Sequence, residues 1–168
     1  MRILFALVLS AAHSFSTFAA TEDILVVKKS FSPHNVIHYE AHIENCKLVH
    51  PFISAYWIMG EKGGKVAKLN FIQKKFLSPV VIESSEQEVE FTLNALNDFD
   101  IPGSDKNFKA TLSNCHPVSS VSLDGQIIEV SEIYADGKLG LFGMDVNFIT
   151  LTGKYPDGSK LLRKINNN

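Results

Sequence analysis

The sequence predicts an all-β, mainly antiparallel fold, either a β-sandwich or a closed β-barrel, with one short helix near residues 66–77. Three observations carry that prediction. Apolar and polar residues alternate with period two in strand-length runs through most of the chain. Asp-Gly pairs, which tolerate the positive φ of tight hairpin turns, stand at 124–125, 136–137 and 157–158. Helical spacing occurs in a single stretch.

The first strand is the β-branched run Ile24 to Val27. Val36 to Glu44 then sets Ile37, Tyr39, Ala41 and Ile43 on one face and His38, Glu40 and His42 on the other, the pattern of a half-buried strand. Ile53 to Met59 is aromatic-rich. Glu88 to Ala95 turns Val89, Phe91, Leu93 and Ala95 inward, and Asn107 to Ser113 does the same with Phe108, Ala110 and Leu112. Further strands are expected at Val118 to Leu123, Gln126 to Tyr134, Lys138 to Phe142, Val146 to Thr152 and Lys160 to Ile165, joined by the Asp-Gly turns into a meander. The helix spans Val66 to Leu77, with Leu69, Ile72 and Phe76 at i, i+3 and i+7; Gly63-Gly64 turns into it and Ser78-Pro79 stops it. Asp98 to Asp105 is the longest polar break, a surface loop.

Composition narrows the function classes. The 168 residues are 45% hydrophobic and 20% charged with a net charge of −2, as in an ordinary globular domain, and neither sign forms a long run, so nucleic acid is not an expected partner. Met1-Arg2, the apolar stretch Ile3 to Ala12 and Thr17-Phe18-Ala19 match the three parts of a secretory signal peptide, here residues 1–19, leaving a single β-rich domain over 20–168. The product is expected to be periplasmic or secreted, without an integral membrane segment once the signal is removed. Cys46 and Cys115 both fall in the exported part, where an oxidising compartment favours a disulfide between them.

Tyr39-Glu40-Ala41, Pro51 ahead of Tyr56-Trp57-Ile58, and Gln73-Lys74-Lys75-Phe76 resemble a bacterial exported family known as domain of unknown function 4833. His34-Asn35-Val36 is similar to the polar-Asn-Thr segment that precedes the first of these motifs in that family. The likeness is sharpest from Phe31 to Phe76, and Leu77-Ser78-Pro79 departs from the family's Ala-Tyr-Gly. The resemblance implies an exported small β-rich domain and no particular reaction.

Two constellations hold candidate chemistry. His34, His38 and His42 recur every four residues, but on a strand such neighbours lie about 13 Å apart, whereas residues at i+2 lie about 7 Å apart. His38, Glu40 and His42 are therefore the candidate metal set, needing a further ligand from another strand, against the plainer reading of a solvated face. Tyr56 and Trp57 anchor the densest aromatic cluster and, with Lys74 and Lys75 on the helix, form the candidate ligand site. Adjacent strand residues face opposite ways, so Trp57 is expected in the core and Tyr56 on the side bearing the helix. No nucleophile elbow, phosphate loop, Cys-x-x-Cys or His-Glu-x-x-His motif occurs. The expected function is a non-catalytic binding module, without cofactor, for a small apolar or amphipathic ligand or an envelope protein; the alternative is a metal-dependent or hydrolytic enzyme on the His38, Glu40 and His42 face.

Overall fold

The computed structural model describes residues 19–32, 34–96, 101, 104, 106–140 and 143–167. The expected signal segment, apart from residue 19, lies outside these residues, as do most of the 98–105 loop and Phe142. The strands are β1 (Ala20–Lys29), β2 (Asn35–Glu44), β3 (Lys47–Met59), β4 (Lys65–Lys68), β5 (Pro79–Ser84), β6 (Glu88–Leu93), β7 (Phe108–Ser113), β8 (His116–Leu123), β9 (Gln126–Gly140), β10 (Gly143–Lys154) and β11 (Lys160–Asn166), with one helix, α1 (Phe71–Leu77). The all-β expectation holds.

These strands make one mixed, curled sheet in the order β4-β3-β2-β1-β9-β8-β7-β6-β5, with β10 and β11 added beside β9. The long strand β9 is the branch point. One of its edges pairs with β10 from Glu129 to Gly140, while the other is shared, β8 taking residues 126–129 and β1, running parallel, taking residues 132–135. Two wings, β1 to β4 and β8 to β5, therefore diverge from β9. Their apolar faces curl over a common core that includes Ile37, Tyr39 and Ala41 from β2 and Val89, Phe91 and Leu93 from β6, the inward sets that the alternation predicts.

The wings are tied at their tips. Asn45-Cys46 and Asn114-Cys115 are two-residue hairpin loops, all four residues at positive φ between 51° and 67°, and Cys46 and Cys115 form a disulfide with Cα atoms 4.6 Å apart. Beside it the segment between β5 and β6 bonds to both wings, Leu48 N donating to Glu86 O at 2.8 Å and Leu112 N to Gln87 O at 3.0 Å.

Three local expectations are corrected. The helix is shorter than residues 66–77, because Lys65–Lys68 pairs with Met59 to Tyr56 as the edge strand β4, and Asn70 starts the helix through a reciprocal capping box with Gln73. Pro79–Ser84 is an additional edge strand; its Val80, Val81 and Ile82 are all exposed, so no alternation marks it. Asp136-Gly137 is not a turn: β9 continues through it at a register shift, and Gly137 lies so close to Asp145 that a Cβ would strike the Asp145 carbonyl. By contrast, Asp124-Gly125 is the expected two-residue turn, with φ of 51° and 76°. Asp157 accepts hydrogen bonds from Ser159 N and Oγ in the β10–β11 turn, which hold its carboxyl below the usual range.

Candidate functional site

The β1–β2–β3 wing carries every polar candidate of the sequence except the two helix lysines, and it separates them onto two faces. Register sets the faces: Val27, Ile37 and Trp57 are directly opposed across the three strands, as are Val26, His38 and Tyr56. Ile37 is fully buried, so Trp57 lies on the inner face and Tyr56 on the outer. The opposite facing of the two rings is as expected. Which of them shares the helix side is reversed: Tyr39, also inward, donates its hydroxyl to Leu77 O at 2.9 Å and so fixes the end of α1 to the inner side, the side of Trp57. Burial pushes the Tyr39 phenol well up. Trp57 is half-buried at the margin of the core rather than within it.

On the outer face the side chains satisfy one another. Asp23 accepts from Tyr56 OH at 2.9 Å and meets His38 Nδ1 at 2.7 Å, and the His38 and Tyr56 rings stack with centroids 5.1 Å apart. Burial, the hydrogen bond to Asp23 and the charges of Asp23 and Glu40 push the Tyr56 phenol up to about 12. Alongside, Ser54 Oγ donates to Glu40 Oε1 at 2.7 Å and lies 2.8 Å from His42 Nε2. Because the Ser54 proton is directed at Glu40, His42 Nε2 must be the donor in its bond to Ser54, the reverse of the direction in which a histidine base activates a serine. His38 and His42 thus hold different partners. Among the described residues no group of three or more His, Cys, Asp or Glu side chains is arranged to hold a metal ion.

The inner face is different. Lys29 follows Val27 by two residues, so it points to the core side, where its register partner Ala135 is fully buried. It is itself only 7% exposed. Its Nζ lies 5.0 Å from the centre of the Trp57 ring and 5.2 Å from that of Phe31. Those rings are its only side-chain partners among the described residues, and burial lowers its pKa. Trp57 Nε1 is buried without a hydrogen-bond partner, and so is Oδ1 of Asn35, whose amide donates to Ser32 Oγ at 2.9 Å. Each unmet buried polar atom costs about 1–3 kcal/mol, and a cation over an aromatic face recovers about 0.5–2 kcal/mol. A cation, an N–H donor and a carbonyl acceptor are therefore held on three adjacent strands without mutual satisfaction. The cation and the N–H donor suit the head of a ligand bearing a carboxylate or similar anion. Apolar surface adjoins it, since Phe31 is 37% exposed and Met59 and Ala67 share the Trp57 face.

Lys74 and Lys75 stand exposed on α1, with Lys75 Nζ 5.8 Å from the Phe76 ring. The four expected ligand residues thus fall on three surfaces. Sequence reasoning missed Lys29 and Asn35, although the alternation Leu25, Val27, Lys29 already placed a lysine in the inward phase of a strand.

Fold and site together define a mixed β-sheet domain with a desolvated basic site at the margin of its core. The chain belongs to the family described as Domain of unknown function (DUF4833), which matches residues 26–164 and so takes in both wings as well as Leu77-Ser78-Pro79. No curated protein and no solved structure matches it.

Proposed function

We propose that this protein is an exported, non-catalytic binding module that takes a small amphipathic molecule by its anionic head on the inner face of the β1–β2–β3 wing. One observation carries the reading: the Lys29 side chain packs into the core margin with its Nζ near the Phe31 and Trp57 rings and no anion or hydrogen-bond acceptor among the described residues, beside a buried, unbonded Trp57 Nε1. A fold gains nothing in stability by burying an unpaired cation, so its presence argues for use. In the bound state a carboxylate accepts from Lys29 Nζ and Trp57 Nε1, and the apolar tail lies against Phe31 toward the open margin of the sheet. The Cys46–Cys115 disulfide supports export, and among the described residues no helix is long and apolar enough to cross a membrane. The enzyme reading on His38, Glu40 and His42 has less support, because the two histidines hold different partners and His42 donates to Ser54 rather than accepting from it.

Trp57 is the sole tryptophan, so its emission reports directly on the site. Titration of the chain with dodecanoate is expected to change that emission saturably, while dodecanol, with the same tail and no anion, has little effect. Lys29→Met is expected to weaken dodecanoate binding at least about tenfold, the loss of one charge-assisted hydrogen bond. Equal responses to acid and alcohol, or undiminished binding by Lys29→Met, overturn the proposal.

A further inference from the structure

The outward face of α1 is apolar where a surface helix is ordinarily polar. With 100° between successive residues, Gln73 and Leu77 fall on the side turned to the protein, and Lys74, Phe71, Lys75, Ile72 and Phe76 fill the remaining arc in that order. Phe71 is 87% exposed, Ile72 67% and Phe76 47%; no residue of α1 is buried. The helix is nonetheless well anchored. Its first turn closes in the Asn70–Gln73 capping box, Tyr39 OH bonds Leu77 O, and Asn94 Nδ2 donates to Lys75 O at 3.3 Å. The bulky residues are held outward by a fixed backbone.

Charge identifies what such a face suits. From residue 61 to residue 76 the chain has five lysines, Lys62, Lys65, Lys68, Lys74 and Lys75, and one acidic residue, Glu61, in a protein whose net charge is −2. All five lysines are exposed, and among the described residues none makes an ion pair, whereas Lys28, Lys47, Lys109 and Lys154 on other strands are each matched with a glutamate. A second copy of this chain would bring the same lysines against themselves across a two-fold axis, so self-association is disfavoured. Exposed aromatic and aliphatic side chains beside the unpaired Lys74 and Lys75 suit the interface of an anionic bilayer, where the rings enter the headgroup boundary and the ammonium groups meet lipid phosphates.

We infer that the arc of Phe71, Ile72 and Phe76, with Lys74 and Lys75 on the same helix, docks this protein onto an anionic membrane surface. The inference stands apart from the ligand site on the inner face, and Trp57 takes no part in it.

Sedimentation of the full chain with vesicles of phosphatidylcholine plus phosphatidylglycerol is expected to carry it down, whereas vesicles of phosphatidylcholine alone leave it in solution. Lys74→Gln with Lys75→Gln is expected to weaken binding about 30-fold, at the usual contribution of a lysine near a charged bilayer. Phe71→Ser with Ile72→Ser is expected to abolish it; both positions are solvent-facing, and an unchanged far-ultraviolet circular dichroism spectrum shows that the fold survives. Added salt is expected to release the wild type. Equal binding to both vesicle types, binding to neither, undiminished binding by the Phe71/Ile72 variant, or concentration-dependent dimers in light scattering overturns the inference.

Discussion

The two faces of the β1–β2–β3 wing are built from the same three strands and reach opposite solutions for their polar groups. On the outer face Asp23, His38, Glu40, His42, Ser54 and Tyr56 close into two short hydrogen-bonded sets. On the inner face Asn35 Oδ1 and Trp57 Nε1 are buried without a partner, and Lys29 Nζ meets only the Phe31 and Trp57 rings among the described residues. A pattern of histidines drew attention to the outer face, yet its groups are already joined to one another through Asp23 and Ser54. Buried polar atoms without a partner are the better guide to binding, and Asn35 Oδ1 and Trp57 Nε1 lie on the side where desolvation makes each unmet group expensive.

The largest expected effect tests whether the inner face depends on the wings being held together. The disulfide closes a loop between residues 69 apart in sequence, for which the chain-entropy model gives about 4 kcal/mol as an upper figure. Cys46→Ser with Cys115→Ser is expected to lower unfolding free energy by about 2–4 kcal/mol in urea titrations and to quench or red-shift Trp57 emission as the wings loosen. A variant with full stability and native emission would show that the shared core alone holds the inner face.

Neighbouring lysines then compare the faces directly. Lys29→Met is expected to raise unfolding free energy by about 1–3 kcal/mol, since it replaces an unpaired buried cation with an apolar chain of similar length. Lys28→Met, which removes a part-exposed ion pair with Glu132 on the opposite face, is expected to change it by less than about 1 kcal/mol. A destabilised Lys29→Met would mean that the ammonium has a structural partner in solution and would remove the contrast.

The same lysine gives a signed pH dependence. Burial sets its folded pKa below the ordinary value of 10.5, so between the two values the unfolded chain binds more protons than the folded one and stability rises with pH. Below the folded pKa the lysine carries its charge in the folded protein, and its destabilising effect is greatest. The stability gap between Lys29→Met and the wild type is therefore expected to narrow as pH climbs toward 10.5. A gap independent of pH would locate the variant's gain in packing instead.

The smallest effect belongs to the outer face. Tyr56→Phe leaves Asp23 bound to His38 and is expected to lose about 0.5–1.5 kcal/mol, the net contribution of one hydrogen bond. Dodecanoate binding should be unaffected, since the ring lies on the other side of the sheet. Alkaline titration of phenol absorbance should at the same time lose a transition near 12.

Much of the architecture was legible in residue order because strand facing is a local property. Alternation in β2 and β6 named the buried set correctly, Asp124-Gly125 is the tight turn that its residues demand, and the two cysteines pair with each other. Where local pattern and pairing compete, pairing decides. Val66 to Leu77 has helical spacing throughout, yet residues 65–68 are strand because the edge of β3 offered hydrogen bonds that a first helical turn cannot match. Asp136-Gly137 has turn chemistry and runs straight through β9, since β1 and β10 claim both edges of that strand.

By itself, then, the order of residues determined most of the strands, the edge strands β4 and β5 excepted, which side of the alternating ones faces inward and which cysteines pair, consequences of period-two geometry and composition. Only the tertiary structure decided that β1 lies parallel to β9 and that Lys29, Asn35 and Trp57, brought together from three strands, are left with unused hydrogen-bonding capacity. Sequence separation hides such a meeting. Whether a buried polar atom is satisfied depends on the residues opposite it in register, and register between strands is a property of the assembled sheet.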